Sequence, residues 1–556
     1  MAHNRTIVIG SLLAVVLVIG AYTYMAKQTA VPAPVTSAAN SEAERSPLPP
    51  IVVTTARVLS DSDLDKMKEP DTIDDNPISR WSIAKLGIAT SNMWVLADEA
   101  ALEKKVRLAL TGEEELPDVL LLNNRILSRL LDELVASGRF ADIGDSFERY
   151  ASPRLKEAYA LNPDVWKTVR VGGKLWGLPQ ISDGKVGDPI LWVRQDWLDR
   201  LGLAVPTTLN ELTAVLDAFT NRDPDGNGKD DTIGLALAGK NSLNGWIGDA
   251  SFVFGAFGDQ PYQWNRMPDG SLAYGSVQPG MRDALAVLAE WYGRGYLHPN
   301  FGTYDEQSAS SLFADGQAGI ISGPGWMGGW PLSEVPQGPD MPVFKPIPFP
   351  SGPDGNIGRR GSNISYGSYV FRQGFEHMDA VFRYYDEVFG ALIEDPASDF
   401  LHGFAENYDY KRVGDEVLYD FPGKTSTISR QLLVALGSTP PGVIRGESIE
   451  QRVYRGKIDT PYEKRLAATS SKLFLEGSIV SDQQLDYARK DEFVGAPGPK
   501  MRAKWPALQD MEKKAFLKIV YGNEQPDSFV QFVRDWHVYG GEEITREVNE
   551  WDRANR

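Results

Sequence analysis

The chain has 556 residues, 42% hydrophobic and 24% charged, an ordinary globular make-up and more chain than a single core holds. Its 57 basic and 75 acidic residues leave a formal charge of −18, which argues against a nucleic-acid partner because phosphates need a basic surface. Cysteine is absent, excluding disulfides, thiolate nucleophiles and Cys-ligated zinc. The five histidines, His3, His298, His377, His402 and His537, form no H-x-x-x-H pair, which disfavours a zinc hydrolase.

Arg5 precedes an apolar run from Ile7 to Met25, and an Ala/Pro/Ser/Thr-rich stretch follows over 28–49. Residues 1–49 thus predict a signal peptide or membrane anchor plus linker, with export across the membrane. No cysteine follows the run, so a lipid-anchored N-terminus is not expected. The folded part is expected to open with a strand over Ile51–Leu59, and a helix is expected over Glu99–Leu110. Leu116-Pro117 then leads into Val119–Leu122, an apolar run ended by Asn123-Asn124 that suits a strand buried on both faces. Helix followed by buried strand is α/β grammar.

Ile190–Arg194 reads as a strand and Asp196–Leu201 as a short helix stopped by Gly202. Thr208 with Glu211 three residues on forms a capping box, after which Leu209, Leu212, Val215, Leu216 and Phe219 recur on one helical face. That helix runs into Asp223-Pro224-Asp225-Gly226-Asn227-Gly228-Lys229-Asp230-Asp231. Oxygen-bearing side chains recur at every second position (Asp223, Asp225, Asn227, Asp231) and Gly228 stands sixth, where a calcium loop turns. A structural Ca²⁺ is expected there, with the Lys229 carbonyl as the backbone ligand. The bidentate Glu of an EF-hand is replaced at the twelfth position by Gly234, so Asp231 or the Thr232 hydroxyl would have to complete the shell. The rival reading is an acidic turn that binds nothing. Ile233–Leu237 follows as a strand.

Met281–Tyr292 predicts an amphipathic helix, and Ala318–Ile321 a short strand leading to Gly323-Pro324-Gly325-Trp326-Met327-Gly328-Gly329-Trp330. Three C-terminal helices are expected: one from Trp505-Pro506, one through Phe529 and Trp536 that stops at Gly540-Gly541, and one through Ile544, Val548 and Trp551.

In this order the segments resemble the extracellular solute-binding proteins (family 1) of ABC importers, within the oligosaccharide- and alginate-binding group that includes lipoproteins. The resemblance rests on Leu116–Val119, Leu191–Leu203, Pro206–Leu209, the acidic loop, Phe313–Gly319 and the Trp505-Pro506, Trp536 and Gly540-Gly541 helices, over roughly residues 70–555. It implies an α/β, two-lobe periplasmic-binding-protein-like fold of type II, with hinge strands between discontinuous lobes. One lobe would comprise 50–185 and 310–375, and the other 186–309 and 376–556. It also implies Ca²⁺ on Asp223, Asp225, Asn227, Lys229 and Asp231. The function implied is delivery of an oligosaccharide to an ABC permease by hinge closure, as a monomer at the extracellular face of the membrane, with no catalysis.

Sugars present apolar CH faces and a rim of hydroxyls, so aromatic platforms in loops are the candidate ligand residues. Trp326 and Trp330 come first, in a Gly-rich turn that would let backbone approach a ligand, followed by Trp246, Tyr366 and Trp264. Trp291, Trp505, Trp536 and Trp551 lie on periodic helix faces and are assigned to packing. The overall charge argues against a polyanionic ligand, unless a local cluster such as Arg359-Arg360 overrides it. A peptide ligand, an anchored sensor or scaffold, and a polysaccharide-acting enzyme are the rival readings.

Overall fold

The computed structural model describes residues 49–336, 338, 341–425 and 431–556. The expected signal peptide or anchor over 1–49 lies, but for its last residue, outside the described residues. Among the described residues no helix is long and apolar enough to cross a membrane. Residues 50–556 form one compact unit.

The strands that build it are β1 (Ile51–Val58), β2 (Ile88–Leu96), β3 (Val119–Asn123), β4 (Leu178–Ile181), β5 (Pro189–Arg194), β6 (Ile233–Ala236), β7 (Ala318–Pro324), β8 (Phe344–Ile347) and β9 (Ser365–Phe371). They make two separate sheets, β2-β1-β3-β9-β4 and β8-β5-β7-β6. In the first, β1 is parallel to β2 and β3, and β9 runs antiparallel to β3 and β4. In the second, β5 is antiparallel to β7 and β8 while β6 and β7 are parallel. Each sheet has its own core, which defines two lobes.

The helices that matter for the cleft are α1 (Asn124–Ser137), α2 (Leu209–Asn221), α3 (Met378–Leu392), α4 (Lys472–Gln483) and α5 (Pro499–Val520). Local sequence explains their starts. Asn123 caps α1, with its Oδ1 accepting from the Ile126 amide, and the Thr208/Glu211 capping box opens α2. Helix α5 begins at Pro499, before the expected Trp505-Pro506 start, and carries Pro506 within it. The C-terminal helices break where expected, at Gly540 (φ 133°). A Cβ on Gly541 would stand 2.1 Å from the Trp536 ring, so packing as well as backbone freedom demands glycine there.

Three expectations need correction. Of 310–375, only the end returns to the first lobe. Strands β7 and β8 belong to the second sheet, and crossing back occurs between Arg360 and Ser365. Nor does 376 begin the second lobe, since α3 and then Leu432, Leu433, Val434 and Leu436 pack into the first core. A strand's own residues carry no mark of which sheet it will join, so crossings placed from sequence alone fell wrongly. The β3 run is also not buried on both faces: Leu121 is exposed.

The first crossing, from β4 to β5, is pinned to the second by a fully buried pair. Asp188 lies 3.2 Å from Arg359, both with no exposure, and Asp188 accepts from the Ser362 amide at 2.5 Å. Arg359 also donates to the carbonyls of Pro189, Ser481 and Gln484. Removing either partner would leave a buried charge unpaired, a penalty of roughly 3–5 kcal/mol.

Candidate functional site

Three cavities of about 300, 520 and 440 Å³ run in series and share walls, the first in the first lobe alone and the other two between the lobes. The first lies against the C-terminal ends of β1 and β3, through Thr55–Leu59, Leu121 and Asn123. Strand order reverses there, and ligands of open α/β sheets gather outside such strand ends. Asn123 and Tyr366 join it to the middle cavity. Asn124, Arg125, Tyr262, Asn363 and Asp491 join the middle cavity to the last. Both lobes contribute: Asn123–Arg125 and Tyr366 from the first, Asn244, Tyr262 and Asp491 from the second.

The sequence-predicted aromatic residues divide sharply. Trp246 and Trp326 have ring centroids 5.5 Å apart at 30°, and Trp330 continues the row 6.4 Å from Trp326 at 27°. Trp246 is 40% and Trp330 37% exposed. Trp326 is half-buried, its indole N–H donating to the Val186 carbonyl at 2.6 Å, beside Gly187 of the cleft wall. Tyr366 is exposed into the cleft. Trp264 is a correction: it is only 2% exposed, paired in a short strand with Tyr274 and packed on Trp505 and Tyr274. It lines the last cavity from within the core.

The glycines around Trp326 also serve a different purpose from the one expected. A Cβ on Gly328 would lie 2.4 Å from the Leu473 backbone, and one on Gly325 would lie 2.7 Å from the Gly477 carbonyl. They let the tryptophan turn press onto α4, and the ligand need not approach them. Ser471 donates to the Gly328 carbonyl at 2.6 Å to close the same contact.

Arg359 and Arg360 are not a free basic patch. Arg359 is consumed by Asp188, while Arg360 pairs with Asp249 (3.4 Å) and donates to the Gly187 and Gly245 carbonyls, both at 2.9 Å. Sequence reading missed Arg125, Tyr262, Asn363 and Asp491. Tyr262 holds φ +63°, a strained setting for a bulky side chain that recurs where surroundings over-determine a functional residue. Burial pushes the Asp491 carboxyl up to about 7, against the pull of the Trp264 and Phe493 amides that donate to it at 3.0 and 3.1 Å. The signal for Asn123–Arg125 was present: polar residues directly after an apolar parallel strand mark a strand's ligand-facing end.

The acidic loop lies on the second lobe, between α2 and β6. Asp223 Oδ1 and Oδ2 accept from the Asn227 and Gly228 amides at 3.0 Å, and Asp223 takes φ +43° to do so. The Asn227 side-chain nitrogen donates to Asp225 (2.7 Å) and Asp231 (3.1 Å), so one amide lies between two carboxylates. This donor set suits a hard, oxygen-seeking cation. In the present arrangement, though, no three acidic or histidine side chains among the described residues are gathered closely enough to hold an ion. Thr232 is a correction: its buried hydroxyl donates to the Phe219 carbonyl at 2.8 Å and ties α2 to β6, away from the loop. The missing twelfth-position Glu has a steric cause, because a Cβ on Gly234 would come within 2.8 Å of Leu216.

Residues 94–391, more than half of the chain, match the bacterial extracellular solute-binding protein family, and the chain belongs to that family. It is 31% identical over 234 residues to the polygalacturonan/rhamnogalacturonan-binding protein YtcQ of Bacillus subtilis, an alignment spanning 41% of this chain and 43% of the relative. Its fold resembles that of an extracellular solute-binding protein from Bifidobacterium longum subsp. infantis (TM-score 0.65, 15% identity, 91% of this chain and 98% of the other). It also resembles an EF-hand mutant of the Streptococcus pneumoniae ABC-transporter substrate-binding protein FusA in complex with fructo-nystose (TM-score 0.61, 17% identity, 91% and 100%).

Proposed function

We propose that this protein captures an oligosaccharide between its lobes and delivers it to the permease of an ABC importer, without chemistry on the sugar. The observation that carries this reading is the cleft itself, walled by both lobes, with Tyr366 in its wall. The Trp246–Trp326–Trp330 row stands apart from that lining, with Trp246 close in sequence to the wall residue Asn244 and Trp326 hydrogen-bonded to Val186, beside the wall residue Gly187. Aromatic faces pack against sugar CH groups, and the Asn, Arg and Tyr side chains around Tyr366 supply hydrogen bonds to hydroxyls. A ligand touching both lobes favours the closed state by its differential affinity, and the permease reads that state. The relatives named for polygalacturonan and for fructooligosaccharide support a sugar over a peptide. The hinge passes through the two crossings held by Asp188 and Arg359. Tyr366 meets the ligand in the wall of the first two cavities, Trp326, Trp330 and Trp246 extend the site beside them, and Trp264 backs the last cavity from the core. The protein works as a monomer at the extracellular face of the cell membrane.

Asp223, Asp225, Asn227, Asp231 and the Lys229 carbonyl hold a structural Ca²⁺, the Asn227 amide turning to offer its oxygen. Bound calcium supplies charge neutralisation among the carboxylates and rigidifies the α2–β6 turn, at a distance from the ligand.

The test is thermal unfolding against a panel of oligosaccharides, with recovery of the sugar afterwards. A ligand at 100 times its Kd stabilises by about 2.7 kcal/mol, so a sugar-specific rise in Tm with intact sugar recovered supports the reading. Recovery of shortened sugar, or no shift with any sugar, overturns it.

A further inference from the structure

Resting on the sugar-binding reading above, we propose that the oligosaccharide carries carboxylates, a uronate-type sugar, and that Arg125 in the middle of the cleft recognises one of them. Four arginines line the three connected cavities: Arg57, Arg125, Arg129 and Arg360. Three are already engaged. Arg57 donates to Asn92 (3.0 Å) and to the Gln431 carbonyl (3.3 Å), Arg129 pairs with Glu103 (3.4 Å), and Arg360 is held by Asp249 and two carbonyls. Arg125 has neither an ion pair nor a side-chain hydrogen bond among the described residues, and it is exposed where the middle and last cavities meet.

In a protein of net charge −18, an unpaired guanidinium inside a cleft stands out. Closing the lobes would take that charge out of water, which is costly unless a counter-charge arrives with the ligand. A carboxylate meets that need better than a hydroxyl, because the planar guanidinium fork engages its two oxygens at once. The cleft's own acids do not serve. Asp491 shares both cavities with Arg125, but it makes no ion pair among the described residues, and burial pushes its carboxyl up to about 7 against the pull of the two backbone amides that donate to it. Glu99, in the first cavity, is likewise pushed up by burial, which the Arg125 charge only partly offsets. A carboxyl shifted up in this way repels an incoming carboxylate less than an ordinary ionised one, and its protonated form donates to a ligand's oxygens.

Isothermal titration of the protein with trigalacturonate and trimannuronate, each beside its methyl ester and a neutral fructo-oligosaccharide, tests this. At least one acid should bind roughly ten- to a hundredfold more tightly than its own ester, the worth of a charge-assisted pair. That gap should close in Arg125→Gln and be partly kept in Arg125→Lys, with Tm unchanged in both variants. An acid and ester of equal affinity would overturn the acidic ligand, and a gap that survives Arg125→Gln would overturn the assignment to Arg125. Binding of the neutral sugar alone removes this inference and leaves the sugar-binding reading standing; no heat with any sugar removes both.

Discussion

Two groups of tryptophans in the second lobe show how one residue type is put to opposite uses. Trp264, Trp505 and Trp536 cluster around Tyr274, with Trp264 and Trp536 sealed from solvent, and belong to the core that joins α5 to the sheet. Trp246, Trp326 and Trp330 stand on short turns at the cleft edge, and two of the three are more than a third exposed. The difference lies in what surrounds each ring. Core tryptophans sit on helices or paired strands whose periodic faces have partners, whereas the edge row is set by glycine-permitted turns whose outer side has none. An indole beside glycines therefore predicts display only when those glycines are used to clamp the turn from behind, as Gly325 and Gly328 are by α4.

The contrast can be broken or sharpened by measurement. Trp264→Ala is expected to cost the most stability, about 3–5 kcal/mol by chemical denaturation, because it empties a packed site. The folded fraction should keep its sugar affinity; a selective loss of binding would return Trp264 to the ligand site.

The same core holds a pH response. Tyr274 donates to Glu512 at 2.7 Å, and burial pushes Glu512 up to about 7 from an ordinary value of 4.5. Its folded value exceeds its unfolded one, so the folded state binds the extra proton and stability falls as pH rises through that window. Glu512→Gln should match the wild type near pH 4 and exceed it by on the order of 3 kcal/mol at pH 8. Parallel stability–pH curves for the two proteins would disprove this.

Next in size is the acidic loop. Calcium at a hundred times its Kd should add about 2.7 kcal/mol, seen as a Tm rise that EDTA reverses and Asp225→Ala abolishes. Sugar affinity should be unmoved at fixed folding. A loop indifferent to calcium would make it a plain turn.

At the cleft edge the pattern inverts. Trp326→Ala should weaken sugar binding by about 2 kcal/mol while barely moving Tm. A large fall in Tm with unchanged affinity would class it with Trp264. The smallest effect belongs to the exposed Arg502–Asp132 pair (3.0 Å), which links α5 of one lobe to α1 of the other across the end of the cleft. Arg502→Ala should change affinity by less than about 1 kcal/mol, since exposed pairs are worth little, and the change should vanish in high salt.

Much of the fold was legible in the sequence. The Thr208/Glu211 capping box, the apolar stripe of α2 and the helix over Gly280–Gly293 were written in local spacing and appear as read. Lobe membership was not, because β7 joins the second sheet through partners over a hundred residues away in β5. The site was half legible. Exposed aromatics in irregular turns could be picked out, but Trp264 looked the same until its pairing with Tyr274 was known. Arg125 and Arg360 are indistinguishable as letters, and only the carboxylates and carbonyls that fold around each reveal which is spent and which is available.

The clamp of α4 on the Gly325–Gly328 turn has a temporal meaning as well. The tryptophan row is held by residues near Leu473 and Gly477, about 150 positions further along the chain, so local folding cannot assemble it. Contacts of such sequence separation close late. A chain emerging N-terminus first would complete both sheets, β1 through β9, before the segment that positions its platform is present. Sugar binding would then report that α4 and the chain beyond it have docked, and a truncation before α4 would yield two formed sheets unable to hold a ligand.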